Sequence, residues 1–180
     1  AMREGVLAAT EADLWAFLDR IGVRAVRHAH APGFTVEEAR ALRGALPGAH
    51  TKNLFLKAKD GALWLAVCLA DRVIRIRDLE KALGARKTSF AAPALLRETL
   101  GVDPGSVTPF GLINDRAGLV TVALDAQMMR AETLNFHPLR NDATAAISSD
   151  GLRRFLAETG HSPVEIDFDA LEALAAAARA

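Results

Sequence analysis

Hydrophobic and polar positions near the start of the chain follow the spacing of amphipathic helices. Leu14 and Leu18 recur at helical spacing behind Thr10 and Asp13, which are placed as a capping box. A second capping pattern at residues 35–38 predicts another helix. The first part of the chain is therefore expected to contribute two helices.

Two β-hairpins are predicted where apolar segments lie on both sides of a turn signal. Residues 54–69 contain two apolar segments around Asp60 and Gly61, a dipeptide that accepts the positive φ angles of a tight turn. Residues 112–124 repeat this arrangement around residues 115–118. Each pattern predicts an antiparallel pair of strands.

The rest of the pattern mixes short strands with capped helices. Strands are predicted over residues 24–28, 132–136, 143–147 and 164–168, and helices after Asp78, Pro93 and Ser149 and over residues 170–180. Hairpins mixed with helices indicate an α+β fold with a mixed sheet. We expect one domain over residues 1–180, with residues 1–9 and 170–180 as peripheral termini.

Charge and cysteine content exclude several classes of protein. The chain has 22 Lys and Arg against 22 Asp and Glu residues, so it cannot coat nucleic acid by bulk charge, although a local basic patch is compatible. Its single cysteine, Cys68, excludes a disulfide framework and a cysteine-rich zinc site. No apolar stretch approaches the roughly 18 residues that span a bilayer, and no signal pattern is present. We expect a cytoplasmic protein without membrane contact.

Common catalytic and metal-binding signatures are missing from the sequence. There is no Walker loop, dinucleotide fingerprint, nucleophile elbow or zinc-protease motif. His28 and His30 would share a face of a strand, but no neighbouring Asp, Glu or Cys completes a set of metal ligands. We therefore expect neither a metal nor a cofactor.

Three polar or glycine-rich segments lie beside apolar strands. Residues 50–53 (His-Thr-Lys-Asn) lead into a strand, and residues 104–111 form a loop whose backbone N–H groups a carbonyl or phosphate can approach. Residues 135–141, followed by Thr144, offer donors and acceptors. A solvated lysine, a rigid turn and a pinned loop are the simpler explanations for the same segments.

With these segments, the chain resembles the YbaK/prolyl-tRNA editing family, and most closely its free-standing ProX-type members, which deacylate alanyl-tRNA(Pro). The similarity extends from about Glu11 to Phe168. The matching stretches are residues 34–39, 47–56, 83–91, 104–114 and 135–147.

The resemblance implies a role for each matching residue. Lys52 corresponds to the functional lysine, Gly105 and Pro109 delimit a G-x-x-x-P loop around the scissile ester, and His137 helps to select a small side chain. The resemblance also implies that Asn53, Ser106, Pro109, Phe110, Gly111, Asn141 and Thr144 bind the substrate and that Lys87 contacts tRNA.

The resemblance further implies a central mixed, partly barrel-like sheet flanked by helices, and a trans-editing hydrolase as the activity. A pocket too small for proline would admit alanine, which a synthetase cannot reject strongly because a methylene is worth only about 1–3 kcal/mol. The implied partners are the acceptor end of mischarged tRNA(Pro) and prolyl-tRNA synthetase. Two alternatives remain: a non-catalytic nucleic-acid-binding module, and a hydrolase of small amino-acid esters that does not need tRNA.

Overall fold

The computed structural model describes residues 7–32 and 36–180. The helices are α1 (Glu11–Arg20), α2 (Val36–Ala45), α3 (Ile76–Leu83), α4 (Pro93–Leu100), α5 (Ser149–Glu158) and α6 (Phe168–Arg179). The strands are β1 (Ala25–Ala29), β2 (Ala49–Ala58), β3 (Leu63–Leu69), β4 (Thr88–Phe90), β5 (Val120–Asp125), β6 (Thr133–Phe136), β7 (Ala143–Ser148) and β8 (Val164–Ile166). Three short 3₁₀ turns complete the described chain: Pro104–Ser106, Pro109–Asn114 and Met128–Arg130.

All eight described strands join one mixed sheet in the order β1-β7-β6-β2-β3-β5-β8, with β4 also paired to β2. The β2/β6, β3/β5 and β5/β8 pairs are parallel and the other pairs are antiparallel. The sheet bends around a main core, because β3 and β5 contribute side chains to the same cluster as β6 and β7. The predicted α+β class with a mixed, partly barrel-like sheet is confirmed.

A second core lies on the opposite face of β2, β3 and β5. It contains Leu56, Cys68 and Leu79 together with Phe168 and Leu171 from α6. Residues 170–179 therefore belong to a helix that packs on the sheet through its buried positions. No helix in the described ranges is long and apolar enough to cross a membrane.

The clearest turn signals give the expected structures. Thr10 and Asp13 form a reciprocal capping box at the start of α1. Strands β2 and β3 pair in antiparallel register around a turn in which Gly61 has a φ of 92°. Pro93 begins α4, as predicted. The capping residue proposed at position 35 lies outside the described residues.

The second predicted hairpin is wrong. Residues 112–113 belong to the Pro109–Asn114 turn, in which the Thr108 side chain accepts a hydrogen bond from the Phe110 N–H group, and β5 pairs in parallel with β3. Asp115 is fully buried and accepts hydrogen bonds from the N–H groups of Leu119 and Val120. These bonds close the turn that leads into β5, whose strand partners are β3 and β8 rather than residues 112–113.

Three local predictions also need correction. Helix α3 begins after Arg75, and Asp78 bonds the Arg75 side chain instead of capping the helix. The cap of α5 is Ser148, one residue before the predicted position. The last strand ends at Ile166 and exposes 43% of Val164, because it is an edge strand with a single partner.

Candidate active site

Strand β2 holds the candidate site because its two edges pair differently. One edge pairs with β3 over residues 51–57. The other edge pairs with β6 at residues 49–50 and with β4 at residues 56–58. Residues 51–54 therefore lie between two ladders on that edge, beside the end of β6, and a gap opens in the sheet there.

Lys52 shares a face of the sheet with the polar residues of β6 and β7. His50 of β2 pairs with Asn135 of β6, and paired residues in a sheet point to the same face. Alternation then places Lys52, two residues after His50, on this face, and His137 follows Asn135 in the same way. The pairing of Asn135 with Ala146 puts Thr144 on this face too.

The Lys52 ammonium is held by main chain rather than by an acid. Its Nζ donates to the backbone carbonyl of Arg72, in the loop after β3. That loop also lines a cavity of about 500 Å³, together with Arg40 and His50. Because an ammonium has three donors, two remain for a substrate.

Arg72 is fixed by a buried ion pair that the sequence analysis did not consider. Its Nε and Nη2 donate to Asp125 at 3.0 and 3.2 Å, and the Asp125 side chain is fully buried. Asp125 also accepts from the N–H groups of Leu69, Gln127 and Met128. The sequence signal for this pair is an acidic residue at the end of the apolar segment of β5 and a basic residue three positions after the end of β3.

His137 has a defined hydrogen-bond partner and a half-buried ring. Its Nδ1 lies 3.1 Å from the carbonyl oxygen of Ala143, which can only accept, so the ring carries its proton on Nδ1 and Nε2 is an acceptor. Burial lowers the pKa of His137, and the nearby His30 ring lowers it further against the opposing effect of the Ala143 bond. His137 is therefore neutral near pH 7.

His30 connects this histidine to Thr144. The His30 ring centroid lies 6.3 Å from that of His137, and its Nε2 lies 2.8 Å from Thr144 Oγ1. The two imidazoles and the hydroxyl form a polar cluster at the β6–β7 end of the shared face. These groups offer donors and acceptors that carry no net charge when both rings are neutral.

Asn53, which the resemblance implies to bind substrate, points away from Lys52. Alternation along β2 puts its side chain on the main-core face, the face of Phe55 and Val67. Its Oδ1 is buried and has no hydrogen-bond partner. A buried, unpaired amide oxygen costs about 1–3 kcal/mol, so this atom is a candidate acceptor for a donor that enters the gap.

The Gly105 loop meets the β6–β7 loop in a second cavity. Gly105, Ser106 and Asn141 line a volume of about 580 Å³, with Leu139 and Arg140 beside them. A Cβ added at Gly105 would lie 3.6 Å from Asn141 Nδ2, and Gly105 does not have the left-handed φ seen at other glycines of the chain. The glycine is therefore not required for the turn.

Later residues of the same loop lie in the core. Phe110 is fully buried, with its ring 5.3 Å from Phe155 and 6.0 Å from Phe136. Pro109 is buried in the same turn. A Cβ at Gly111 would come within 2.9 Å of the Leu100 backbone. These positions support the loop by packing, and the expected contact of Phe110 and Gly111 with substrate stays a prediction.

Lys87 lies apart from the residues above. It is exposed and precedes β4, where Thr88 pairs with Ala58. Ala58 is six residues along β2 from Lys52, about 20 Å at the usual strand rise. Lys87 is therefore too far away to share a contact with Lys52.

The loop between β6 and β7 connects the two groups of residues. It begins with His137, on the face of Lys52, and contains Asn141, next to Gly105. Lys52, His137 and Thr144 thus share one face, while Gly105, Ser106 and Asn141 line one cavity beside it. A single cleft formed by both groups remains a prediction.

The fold and the site define an α+β protein with a lysine and a neutral histidine at a gap in a mixed sheet. The chain belongs to the aminoacyl-tRNA editing domain family, whose model matches residues 30–155. The resemblance stated from the sequence is thereby confirmed.

Named relatives agree with this family. The chain is 41% identical over 162 residues to the "Prolyl-tRNA synthetase associated domain-containing protein 1" of Xenopus laevis, a match that covers 87% of this chain and 96% of the relative. It is 30% identical to the "Prolyl-tRNA editing protein ProX" of Acetoanaerobium sticklandii, over 81% of this chain and 89% of that protein. A solved structure described as "a putative trans-editing enzyme for prolyl tRNA synthetase" has the same fold, with a TM-score of 0.64 and 19% identity over 88% of this chain and 98% of its own.

Proposed function

We propose that the protein is a trans-editing hydrolase that deacylates mischarged alanyl-tRNA(Pro). The observation that supports this most strongly is the Lys52 ammonium, tied to the Arg72 carbonyl on the same face as neutral His137. Family membership and the ProX relative support aminoacyl-tRNA editing as the class of reaction.

The reaction needs a placed water more than a protein nucleophile. An aminoacyl ester is labile, and fixed donors near the developing oxyanion supply much of the rate in such sites. Water attacks the carbonyl carbon, the bond from that carbon to the ribose oxygen breaks, and the ribose oxygen takes up a proton. The products are free alanine and uncharged tRNA, so atoms balance without a covalent enzyme intermediate.

The charged Lys52 and the neutral polar groups have different roles in the proposed reaction. Lys52 has two donors left after its bond to Arg72, and these hold a phosphate, a ribose oxygen or the oxyanion. His137 Nε2 is an acceptor on the same face and orients the α-amino group or the attacking water. Gly105, Ser106 and Asn141 bind the ester region from the neighbouring cavity.

Selection of alanine is a matter of size. Thr144 Oγ1 bonds His30 Nε2, and His137 Nδ1 bonds the Ala143 carbonyl, so these side chains are fixed in place and His137 Nε2 faces the substrate. A substrate pocket against this cluster admits a methyl group and excludes the proline ring. Burial of one or two extra methylenes would favour proline by about 1–3 kcal/mol each, so the preference for alanine has to come from steric exclusion of the larger ring.

The implied setting is protein synthesis in the cytoplasm, with mischarged tRNA(Pro) as substrate and prolyl-tRNA synthetase as an associate. The synthetase is named in the descriptions of several relatives, which supports the association. No cofactor enters the proposed reaction.

A comparison of four substrates tests the proposal. The protein is incubated with alanyl-tRNA(Pro), prolyl-tRNA(Pro), uncharged tRNA and an alanyl ester that lacks tRNA. Rapid hydrolysis of the first substrate alone supports trans-editing. Binding of uncharged tRNA with no hydrolysis would favour the nucleic-acid-binding module, and equal hydrolysis of the simple ester would favour the small-ester hydrolase.

Lys52→Ala provides the matching variant, with Lys81→Ala as control because Lys81 is an exposed lysine of α3 to which no substrate contact is assigned. Loss of one preorganised donor costs about 2.7–4 kcal/mol in sites of this kind, a fall of roughly 10²- to 10³-fold in turnover. The Lys52 side chain lies at the margin of the second core, so folding should be retained. Near-normal hydrolysis by the folded Lys52 variant would contradict the assignment.

A further inference from the structure

Phe90 is an exposed aromatic ring at the edge of the sheet. It is the last residue of β4 and is 64% exposed. Every other Phe or Trp ring in residues 7–32 and 36–180 is half-buried or buried. An aromatic ring left in water at a sheet edge is available to stack against a planar partner.

Phe90 lies on the face of the sheet that carries Lys52. Phe90 pairs with Leu56 of β2, and Leu56 is four residues after Lys52, so all three side chains point to one face. Four strand residues and one interstrand step separate Phe90 from Lys52 by about 14 Å. A stacked nucleic-acid strand rises about 3.4 Å per nucleotide, so this span corresponds to about four nucleotides, and fewer in an extended strand.

Four exposed cations surround the same end of β2. Lys57 and Lys59 come from β2 and its turn, and Arg86 and Lys87 directly precede β4. The Lys59 N–H donates to the Arg86 carbonyl at 2.9 Å, which holds the two segments together. None of these four side chains takes part in the ion pairs seen among the described residues.

The neighbouring carboxylates do not cancel this charge. The acidic residues next to these cations are Asp60, in the same turn as Lys59, and Glu80. Asp60 accepts a hydrogen bond from the Ala62 N–H group, and Glu80 accepts one from the Thr88 N–H group. Four cations against two acids leave an excess of positive charge in a chain whose overall formal charge is zero. A polyanion is therefore the partner that fits this surface.

We propose that Phe90 stacks on a base of the unpaired 3′ end of the aminoacyl-tRNA and that the four cations contact the phosphates of the adjoining acceptor stem. The inference rests on the proposed function, since the ester must lie near Lys52. Stacking on an aromatic side chain tolerates any base, and cations that follow the backbone supply affinity. The expected contact of Lys87 with tRNA belongs to this surface.

Binding of a short uncharged RNA tail that ends in CCA tests the stacking directly. Anisotropy of a labelled tail is measured for the wild type, Phe90→Ala, Phe90→Leu and Phe90→Trp, with Leu119→Ala as control because Leu119 is a 50% exposed apolar residue elsewhere. The Ala and Leu variants should bind roughly 5- to 150-fold more weakly, and the Trp and control variants as the wild type does. Wild-type affinity in either the Ala or the Leu variant would overturn the proposal.

A second measurement separates this proposal from the proposed function. Phe90→Ala should hydrolyse alanyl-adenosine, which lacks the preceding nucleotides, at the same slow rate as the wild type and should lose efficiency only on alanyl-tRNA(Pro). An equal loss on both substrates would overturn the stacking role. If the wild type hydrolyses neither substrate, the proposed function fails, while the tail-binding result still decides the stacking.

The cations have their own test. A double variant, Lys59→Ala with Lys87→Ala, should weaken binding of a hairpin that carries an acceptor stem and the CCA tail, but not of the tail alone. Removing one cation from a phosphate should reduce the slope of log affinity against log salt by roughly 0.9. An unchanged slope for the hairpin would overturn the assignment of these cations.

Discussion

The Nζ of Lys52 donates to the backbone carbonyl of Arg72, so the ammonium is positioned by a loop and not by a carboxylate. A carboxylate partner would offset its charge, whereas a carbonyl orients it and leaves the charge available to a substrate. The position of Lys52 thereby depends on what holds the Arg72 loop, namely the buried pair of the Arg72 side chain with Asp125.

Asp125→Asn should reduce both stability and activity. The change keeps the shape of the side chain but removes the buried carboxylate from the Arg72 charge, which is 6% exposed and keeps only its more exposed partners Asp169 and Glu172. Breaking a buried pair costs about 3–5 kcal/mol, and the isosteric amide should fall at or below the low end of that range. Denaturant unfolding measures the loss, and single-turnover deacylation in the folded temperature range measures the displacement of Lys52.

Glu158→Gln is the matched control for that variant. It removes an exposed pair with Arg154 within α5, which is expected to contribute about 0–1 kcal/mol. If Asp125→Asn were as well tolerated as Glu158→Gln in both measurements, the Arg72 loop would not depend on the buried pair.

Gly105→Ala should lower activity without destabilising the protein. The added Cβ would lie at an ordinary contact distance of 3.6 Å from Asn141, and the backbone at Gly105 needs no left-handed φ. Replacement of a compatible glycine typically stabilises by about 0.4–1 kcal/mol through the unfolded chain. The methyl group nevertheless enters the cavity that we assign to the ester. Thermal unfolding and turnover on one preparation measure both effects, and full turnover would place the ester elsewhere.

Stability should fall as the pH drops through about 6.5, in part because of His137. Burial lowers the pKa of His137 in the folded protein, so the unfolded chain binds a proton first, near the ordinary value of about 6.5. The loss is complete once the pH lies below the folded-state pKa. Unfolding free energies of the wild type and His137→Gln between pH 8 and 5 measure this contribution, which the variant should lack.

His28→Gln serves as the control for that series, because His28 lies on β1 of the same sheet. A pH dependence that persists unchanged in His137→Gln, or that disappears equally in His28→Gln, would refute the assignment to His137.

Cys68 should be inert in the folded protein. It lies directly across from Lys52 in the β2–β3 pair but is fully buried, and burial raises the pKa of its thiol to about 12. Because the thiolate is the reactive form, a thiol reagent at pH 8 should modify Cys68 only after denaturant is added. Rapid modification without denaturant, with loss of activity, would contradict this prediction. It would indicate that the Cys68 thiolate, rather than water, could attack the ester.

Local chemistry makes much of the fold predictable. The Asp60-Gly61 turn, the Thr10 capping box and the proline at the start of α4 depend on residues close together in the sequence. Asp115 is instead buried and bonds His161, 46 residues away, and β5 pairs in parallel with β3. A turn signal alone cannot report such a contact, so the pattern over residues 112–124 predicts a hairpin that does not form.

The resemblance predicts which residues belong to the candidate site, but the sequence does not predict how they are arranged in space. Lys52, His137 and Thr144 share a face because of how β2 pairs with β6, and no spacing in the sequence specifies that pairing. Asn53 is the neighbour of Lys52 in the sequence, but alternation along a strand sends adjacent side chains to opposite faces. Phe110 follows Gly105 in one loop, but its apolar ring joins the core.

Because both edges of β2 are paired, the order of synthesis of the strands determines when the candidate site can form. Within the described chain, β2 pairs with three strands, and the gap beside Lys52 has its second border only when β6 is in place. His137 reaches its orientation through Ala143, at the start of β7. Since both strands leave the ribosome long after β2, a nascent chain that ends before residue 148 has Lys52 but no site. The candidate site is therefore assembled from segments that are synthesised far apart, and its parts come together only once β7 has joined the sheet.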